Sequence, residues 1–143
     1  MPTPDRDLVT GVIQLANLLM RHLAPVFEKA SVTPQQWAIL AALAGAESPL
    51  TLAGLARTML VSKQNMTGMV ARLEEQELVE RQADPKDQRS WRLLLTRRGR
   101  ATVEKLRPAY EAWQRELGSD VAERDLATVV RTVEHLIARL NEM

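Results

Sequence analysis

The apolar residues of this chain change their period once and then change it back. From Leu8 to about Gln76 they recur at spacings of three and four, the period of an α-helix. From Leu78 to Thr96 they alternate, and beyond Thr96 the helical spacing returns. A run of helices interrupted by one stretch long enough for two strands describes a mainly α chain with a small β hairpin set inside it.

The points of change carry matching chemistry. Leu8, Val12, Leu15, Leu19 and Leu23 form the stripe of one long amphipathic helix. Thr33, Pro34 and Gln36 give the next helix a capping box with proline at its first position, Val32 and Trp37 stand as a hydrophobic staple, and the helix runs to about Gly45. Thr51 caps a third, short helix whose Leu52, Leu55, Ala56 and Met59 share a face. Ser62 caps a fourth, with Val61 and Met66 as its staple. LVERQA and SWRLLLT, joined by the Asp-Pro turn of DPKDQ, make the hairpin, in which Trp91, Leu93 and Leu95 alternate. Thr96 opens another helix that runs past Pro108, where a kink or break is expected because proline removes a helical hydrogen bond. Gly118, Ser119 and Asp120 punctuate the chain before a last helix striped by Leu126, Val129, Val130, Val133, Ile137 and Leu140. The first and last helices each hold more apolar stripe than one neighbour covers, which points to a second copy of the chain or to packing of the two on each other.

At 143 residues the length is that of one ordinary domain, with or without a dimerising appendage. No apolar run approaches the roughly 20 residues of a membrane span, and MPTPDRDL lacks the pattern of a secretory signal, so a cytoplasmic protein is expected. The chain has no cysteine, which excludes disulfides, thiolate catalysis, peroxide sensing by a thiol and zinc-thiolate sites, and its 2 histidines are too few for a multi-histidine zinc sensor. No metal site or cofactor is expected. His22 and His135 lie on different helices and no glycine-rich phosphate loop occurs, so the pattern is not that of an enzyme. Met59, Met66 and Met69 read as core packing.

Charge is distributed unevenly. Arg57 to Arg107 holds 12 basic and 7 acidic residues, a net of +5, and the remainder holds 7 and 11, a net of −4, which together restore the overall +1. A basic middle between acidic ends suits a polyanionic partner, although solvated faces alone produce such unevenness.

The fourth helix sharpens the choice. At about 100° per residue, Met66, Met69, Val70 and Leu73 fall on one face, which goes inward. The opposite face is centred on Gln64, Gly68 and Ala71 and flanked by Asn65, Thr67 and Arg72, with acidic side chains only at Glu74 and Glu75. Small and amide-bearing residues let a grooved partner approach the backbone, and Gln64 and Asn65 can make the paired contacts that amides make to adenine in a major groove. A short helix, a turn at Leu60 to Ser62 and this second helix make a helix-turn-helix, and the hairpin directly after it makes a winged helix. In the wing, Asp87 is placed to hold Arg89 by a salt bridge at the tip, from which Arg89 reaches a narrow minor groove. Lys86, Arg92, Arg97 and Arg98 fall near phosphates.

The segments TPQQWAILAAL, TLAGLARTMLVSKQNMTGMVARLEEQELVER and DPKDQRSWRLLLTRRG resemble the MarR family of bacterial transcription regulators over nearly the whole chain. That family's wing carries Asp-x-Arg-Ser followed by Leu-Thr-x-x-Gly, matched here by Asp87, Arg89 and Ser90 and then Leu95, Thr96 and Gly99. One departure is Glu77, where the family has a glycine that ends the recognition helix in a left-handed conformation.

The resemblance implies a winged helix-turn-helix lobe over 33–99 with dimerisation helices at 5–30 and 100–143. It implies a homodimer binding double-stranded DNA at a pseudo-palindromic operator through Ser62, Lys63, Gln64, Asn65, Thr67, Gly68, Arg72, Lys86, Asp87, Arg89 and Arg92. It also implies repression relieved by a phenolic or other aromatic acid bound in a cleft, with Met20, His22, Trp37 and Tyr110 as candidate lining residues that serve equally as ordinary packing or surface groups. The alternative class is a winged-helix protein-interaction module without DNA binding, for which acidic or apolar residues on the outer face of 64–72 are expected instead.

Overall fold

The computed structural model describes residues 7–143, apart from the side chain of Gln88. In chain order it contains α1 (Leu8–Phe27), a single 3-10 turn (Glu28–Ala30), α2 (Pro34–Gly45), β1 (Leu50–Thr51), α3 (Leu52–Met59), α4 (Lys63–Glu75), β2 (Val79–Asp84), β3 (Asp87–Leu95), α5 (Arg97–Leu117) and α6 (Glu123–Glu142). The chain divides at Arg107/Pro108 into two compact units, so α5 begins in the first and ends in the second.

Helices start where a side chain accepts an otherwise unpaired amide. Thr33 Oγ1 accepts from the Gln36 amide at 3.1 Å while Gln36 Oε1 accepts from the Thr33 amide at 3.0 Å, the capping box read from sequence. Thr51 caps α3 through the Gly54 amide and Ser62 caps α4 through the Asn65 amide, each at 3.0 Å. At α1, Asp7 accepts from the amide and hydroxyl of Thr10 at 2.8 and 3.0 Å, bonds that hold its carboxyl below the ordinary aspartate value. The capping of α1 is therefore present at neutral pH and is lost as pH falls through that lowered value.

Three of the stops are left-handed without a glycine. Ser31, Leu60 and Glu77 have φ of 56°, 58° and 62°, in the left-handed region, at a cost of roughly 1–2 kcal/mol for a side chain with a Cβ. Behind Leu60 the Val61 amide donates to Ala56 O at 3.1 Å, and behind Glu77 the Leu78 amide donates to Leu73 O at 2.9 Å, the closing bonds of a Schellman turn. Glu77 thus takes the glycine's conformation itself, and α4 ends at Glu75.

Two expectations need correction. The sheet has three antiparallel strands in the order β1-β3-β2, not two, because Leu50 and Thr51 pair with Leu93 and Arg92 of β3. Two residues are too few to display an alternation, and Thr51 also serves as the cap of α3. At Pro108 the helix continues past the proline as expected and only the break is absent: α5 runs its 21 residues through it. Pro108 gives up one backbone bond, which the rest of so long a helix outweighs.

In the first unit, Phe27, Ile39, Leu40, Leu55, Met66, Val70, Leu73 and Leu93 are each at most 1% exposed and form the core between α1, α2, the α3–α4 pair and the sheet. Gln36, the one buried polar side chain among the described residues, donates to Gln76 Oε1 at 2.9 Å, and Gln76 Nε2 donates to Ser31 O at 2.8 Å. This chain of amides ties the start of α2 and the turn before it to the end of α4.

The base of the wing is fixed just as closely. The Thr96 amide donates to Leu78 O at 3.1 Å, its hydroxyl donates to Glu77 O at 2.6 Å, and the same oxygen accepts from the Gly99 amide at 2.9 Å, capping α5. A Cβ at Gly99 would collide with the Leu78 carbonyl oxygen. In the second unit a turn over Gly118–Ala122 joins α5 to α6, and Leu126 packs against Gly118.

Gly99→Ala is expected to destabilise the protein by roughly 3 kcal/mol, the upper part of the range for forced overpacking, because the obstacle is backbone. Glu77→Gly, which relieves the left-handed strain at the other side of the same joint, is expected to stabilise by about 0.5–1 kcal/mol. Thermal unfolding of both variants checks the pair, and a rise in Tm for Gly99→Ala would contradict the packing described.

Candidate nucleic-acid interface

The inner face of α4 is Met66, Val70 and Leu73, all at 0% exposure, with Met69 half-buried. The rotation fixed by those residues turns Lys63, Gln64, Asn65, Thr67, Gly68 and Arg72 outward and exposed, while Ala71, read as outer, is half-buried. Thr67 donates its hydroxyl to Lys63 O at 2.9 Å and so keeps only acceptor capacity for a partner. A Cβ at Gly68 would meet no atom within 4 Å. Space around the helix therefore does not require that glycine. No acidic side chain stands in the first turn of α4, so the positive end of its dipole joins Lys63 unopposed.

The wing presents cations from a shaped tip. Asp84 accepts from the Lys86 amide at 2.9 Å, and Asp87 accepts from the Arg89 amide at 3.0 Å and the Ser90 hydroxyl at 3.3 Å. The expected Asp87–Arg89 salt bridge is therefore corrected: Asp87 orders the backbone under Arg89, and among the described residues no carboxylate lies within 4.0 Å of the guanidinium. Lys86 and Arg89 are exposed and Arg92 is half-buried, its Cα paired with those of Thr51 and Gln82. Arg98, expected near phosphates, lies 3.7 Å from Glu77 in an exposed pair of little energetic consequence. The sequence did not signal the better pair: Arg81 Nε reaches Glu74 Oε1 at 2.8 Å and fastens β2 to α4.

The start of α4 and the wing meet at one concavity. A cavity of about 70 Å³ is lined by Thr51, Leu52 and Ala53 of β1 and α3, by Lys63, and by Arg89, Ser90 and Trp91. Two cations named separately from the sequence thus face one space. Among the described residues no group of three or more potential metal ligands occurs, and no helix is long and apolar enough to cross a membrane.

Comparison with known proteins agrees with this geometry. A family model described as the MarR family matches residues 30–90. The transcriptional activatory protein BadR of Rhodopseudomonas palustris is 33% identical over 133 residues, spanning 91% of this chain and 74% of its own. The chain belongs to the MarR family of transcription regulators. It is not an enzyme but a winged helix-turn-helix regulator, in which α1 precedes the winged lobe and α5 and α6 follow it. Among solved structures, NadR in complex with 4-hydroxyphenylacetate is 27% identical with a TM-score of 0.78, covering 95% of this chain and 97% of that one. An S. aureus MepR–DNA complex shares the fold at 17% identity and a TM-score of 0.86, covering 96% and 99%.

The four ligand candidates have unlike surroundings in this MarR-family chain. Trp37 is 4% exposed and stacks on Phe27 with ring centroids 5.3 Å apart and planes 17° apart. The Arg107 guanidinium lies over the Trp37 ring at 6.0 Å. Met20 and His22 are exposed on α1, two positions apart and hence on different sides of the helix. Tyr110 belongs to the second unit, where its hydroxyl accepts from Gln114 Nε2 at 3.0 Å.

Gly68→Ala separates folding from function. With open space around the Cβ and a better helix former in place, the fold is expected to gain up to about 1 kcal/mol. DNA affinity should fall, because the methyl group occupies the gap between helix and groove. A variant that is more stable and binds DNA as well as wild type would show that nothing approaches this face.

Proposed function

We propose that this chain is a homodimeric, sequence-specific DNA-binding repressor that is released from a pseudo-palindromic operator by a small aromatic or phenolic acid. The observation that carries the reading is the outer face of α4: exposed Lys63, Gln64, Asn65 and Arg72 around a glycine the fold does not require, with the cations of the wing beside it. The helix reads bases through Gln64 and Asn65, Ser62 and Lys63 hold the strand at its entry, and Lys86, Arg89 and Arg92 hold the flanks. Residues 33–99 are the DNA-binding lobe in this reading, and 5–30, of which 5 and 6 lie outside the described residues, form the dimer with 100–143. A protein-docking module fits less well, since this face is neither apolar nor acidic.

Dimerisation is supported by the apolar area left in water. Leu8, Val12, Leu15 and Leu18 on α1 are 46–61% exposed, and Val129, Val130, Val133 and Leu140 on α6 are 45–68% exposed. Stripes of that size on long helices are interface rather than surface. For the effector, the phenolic acid in the NadR complex supplies the chemical class. Of the four candidates Trp37 remains the proposed ligand contact, and Arg107, which lies over Trp37 with no carboxylate within 4.0 Å among the described residues, is the cation suited to the acid.

Selection of duplexes from a random pool by the purified protein is expected to return an inverted repeat with half-sites about one helical turn apart, and sedimentation a dimer. Gln64→Ala or Asn65→Ala should cost about 1–3 kcal/mol on that sequence and little on random duplex. Arg89→Ala should weaken binding and flatten the salt dependence, because fewer counterions are released. A reporter driven through the selected site should fall on expression of the protein and recover with 4-hydroxyphenylacetate. A stable monomer, or enrichment of no sequence, would remove the proposal, and a rise in the reporter would reverse its sign.

A further inference from the structure

We propose that Trp91 is a DNA contact in its own right, its ring packing on a deoxyribose of a backbone segment whose phosphate seats between Lys63 and Arg89 in the cavity between α3 and the wing. The proposal rests on the DNA-binding reading above and adds to it an occupant, a place and an apolar contact. It begins with the alternation of β3. Leu95, Leu93 and Trp91 point to the same face of the sheet, at 8%, 1% and 46% exposure, so the core-facing row runs past the end of the core and leaves its largest side chain half in water. The cross-strand neighbour of Trp91 is Ala83, too small to cover an indole. What lies beside it is the cavity lined by Thr51, Leu52, Ala53, Lys63, Arg89 and Ser90, which contains two cations and no acid.

Size and charge select the occupant. At about 70 Å³ the space exceeds a water's share of roughly 30 Å³. It is far below the roughly 300 Å³ at which pockets for whole small molecules begin. A phosphate fits, and in a duplex a phosphate brings an apolar sugar face beside it, which is where the ring stands. The position between the first turn of α4 and the wing is the one a strand crosses in passing from a major groove filled by the helix to the minor groove beside the wing.

The contact is to sugar, so its signature differs from those of base reading and of charge. In full-length dimer, W91A is expected to bind about tenfold more weakly, the order of effect for returning a partly buried aromatic face to water. The loss should be equal on the selected operator and on random duplex, with the slope of affinity against salt unchanged, whereas R89A lowers that slope. W91F should keep most of the affinity. Fluorine NMR of wild-type protein labelled with fluorotryptophan, which has 3 tryptophans, gives an independent reading that does not depend on a variant folding. The Trp91 resonance should shift and lose its response to solvent deuteration when duplex is added. W91A binding as wild type, a loss confined to the operator, or an unmoved Trp91 resonance would overturn the proposal while leaving the DNA-binding reading standing. Wild type that binds no duplex at all would remove both.

Discussion

A recognition helix and a wing act on one duplex only if their relation is fixed, and here that relation depends on a single joint around the backbone of Glu77 and Leu78. Three segments meet there. The Leu78 amide closes the end of α4 on Leu73 O, its carbonyl accepts from the Thr96 amide at the far end of the hairpin, and that same carbonyl lies against Gly99. Thr96 adds a hydroxyl bond to Glu77 O and a cap on α5. Helix end, both strand ends and the start of the next helix are therefore determined by a few bonds at one place. An angular error at that place would be magnified along the length of the hairpin.

The joint explains which parts of the chain were legible beforehand. Leu95, Thr96 and Gly99 were visible as a motif, and the structure supplies its reason: threonine is the residue that both caps α5 and reaches Glu77 O, and glycine is the one residue without a Cβ to collide with Leu78 O. Helix starts were legible for the same kind of reason, since Thr33, Thr51 and Ser62 act on amides three residues away. Helix ends were legible at Gly45 and before Gly118, but not where Ser31, Leu60 and Glu77 take left-handed conformations that glycine would have announced. Strand β1 was hidden by its length, and the Gln36–Gln76 and Arg81–Glu74 contacts join residues whose proximity only the tertiary fold creates.

At the candidate site the helix period placed Gln64, Asn65, Gly68 and Arg72 outward correctly because Met66, Val70 and Leu73 leave α4 no other rotation. The role of Asp87 was harder to read. A carboxylate two residues from an arginine suggests an ion pair, but the short Asx geometry favours its own chain's amides, and Asp87 bonds the Arg89 N–H and the Ser90 hydroxyl instead. The consequence is useful: the carboxylate stiffens the turn without neutralising the guanidinium, so the tip is ordered and the cation stays available.

Two glycines of this chain state the division between folding and function. Gly99 is confined by a carbonyl oxygen, and its absence of a side chain serves the joint. Gly68 stands in open space on an exposed helix, where alanine would suit the helix better by about 1 kcal/mol. Stability alone selects the first and opposes the second. The outer face of α4 contributes no side chain to the core, so its residues answer to what comes against it, while the inner face and the joint hold it in place. The same separation lets the exposed residues of α4 change without disturbing the fold, which is the freedom a family of regulators with different operators requires.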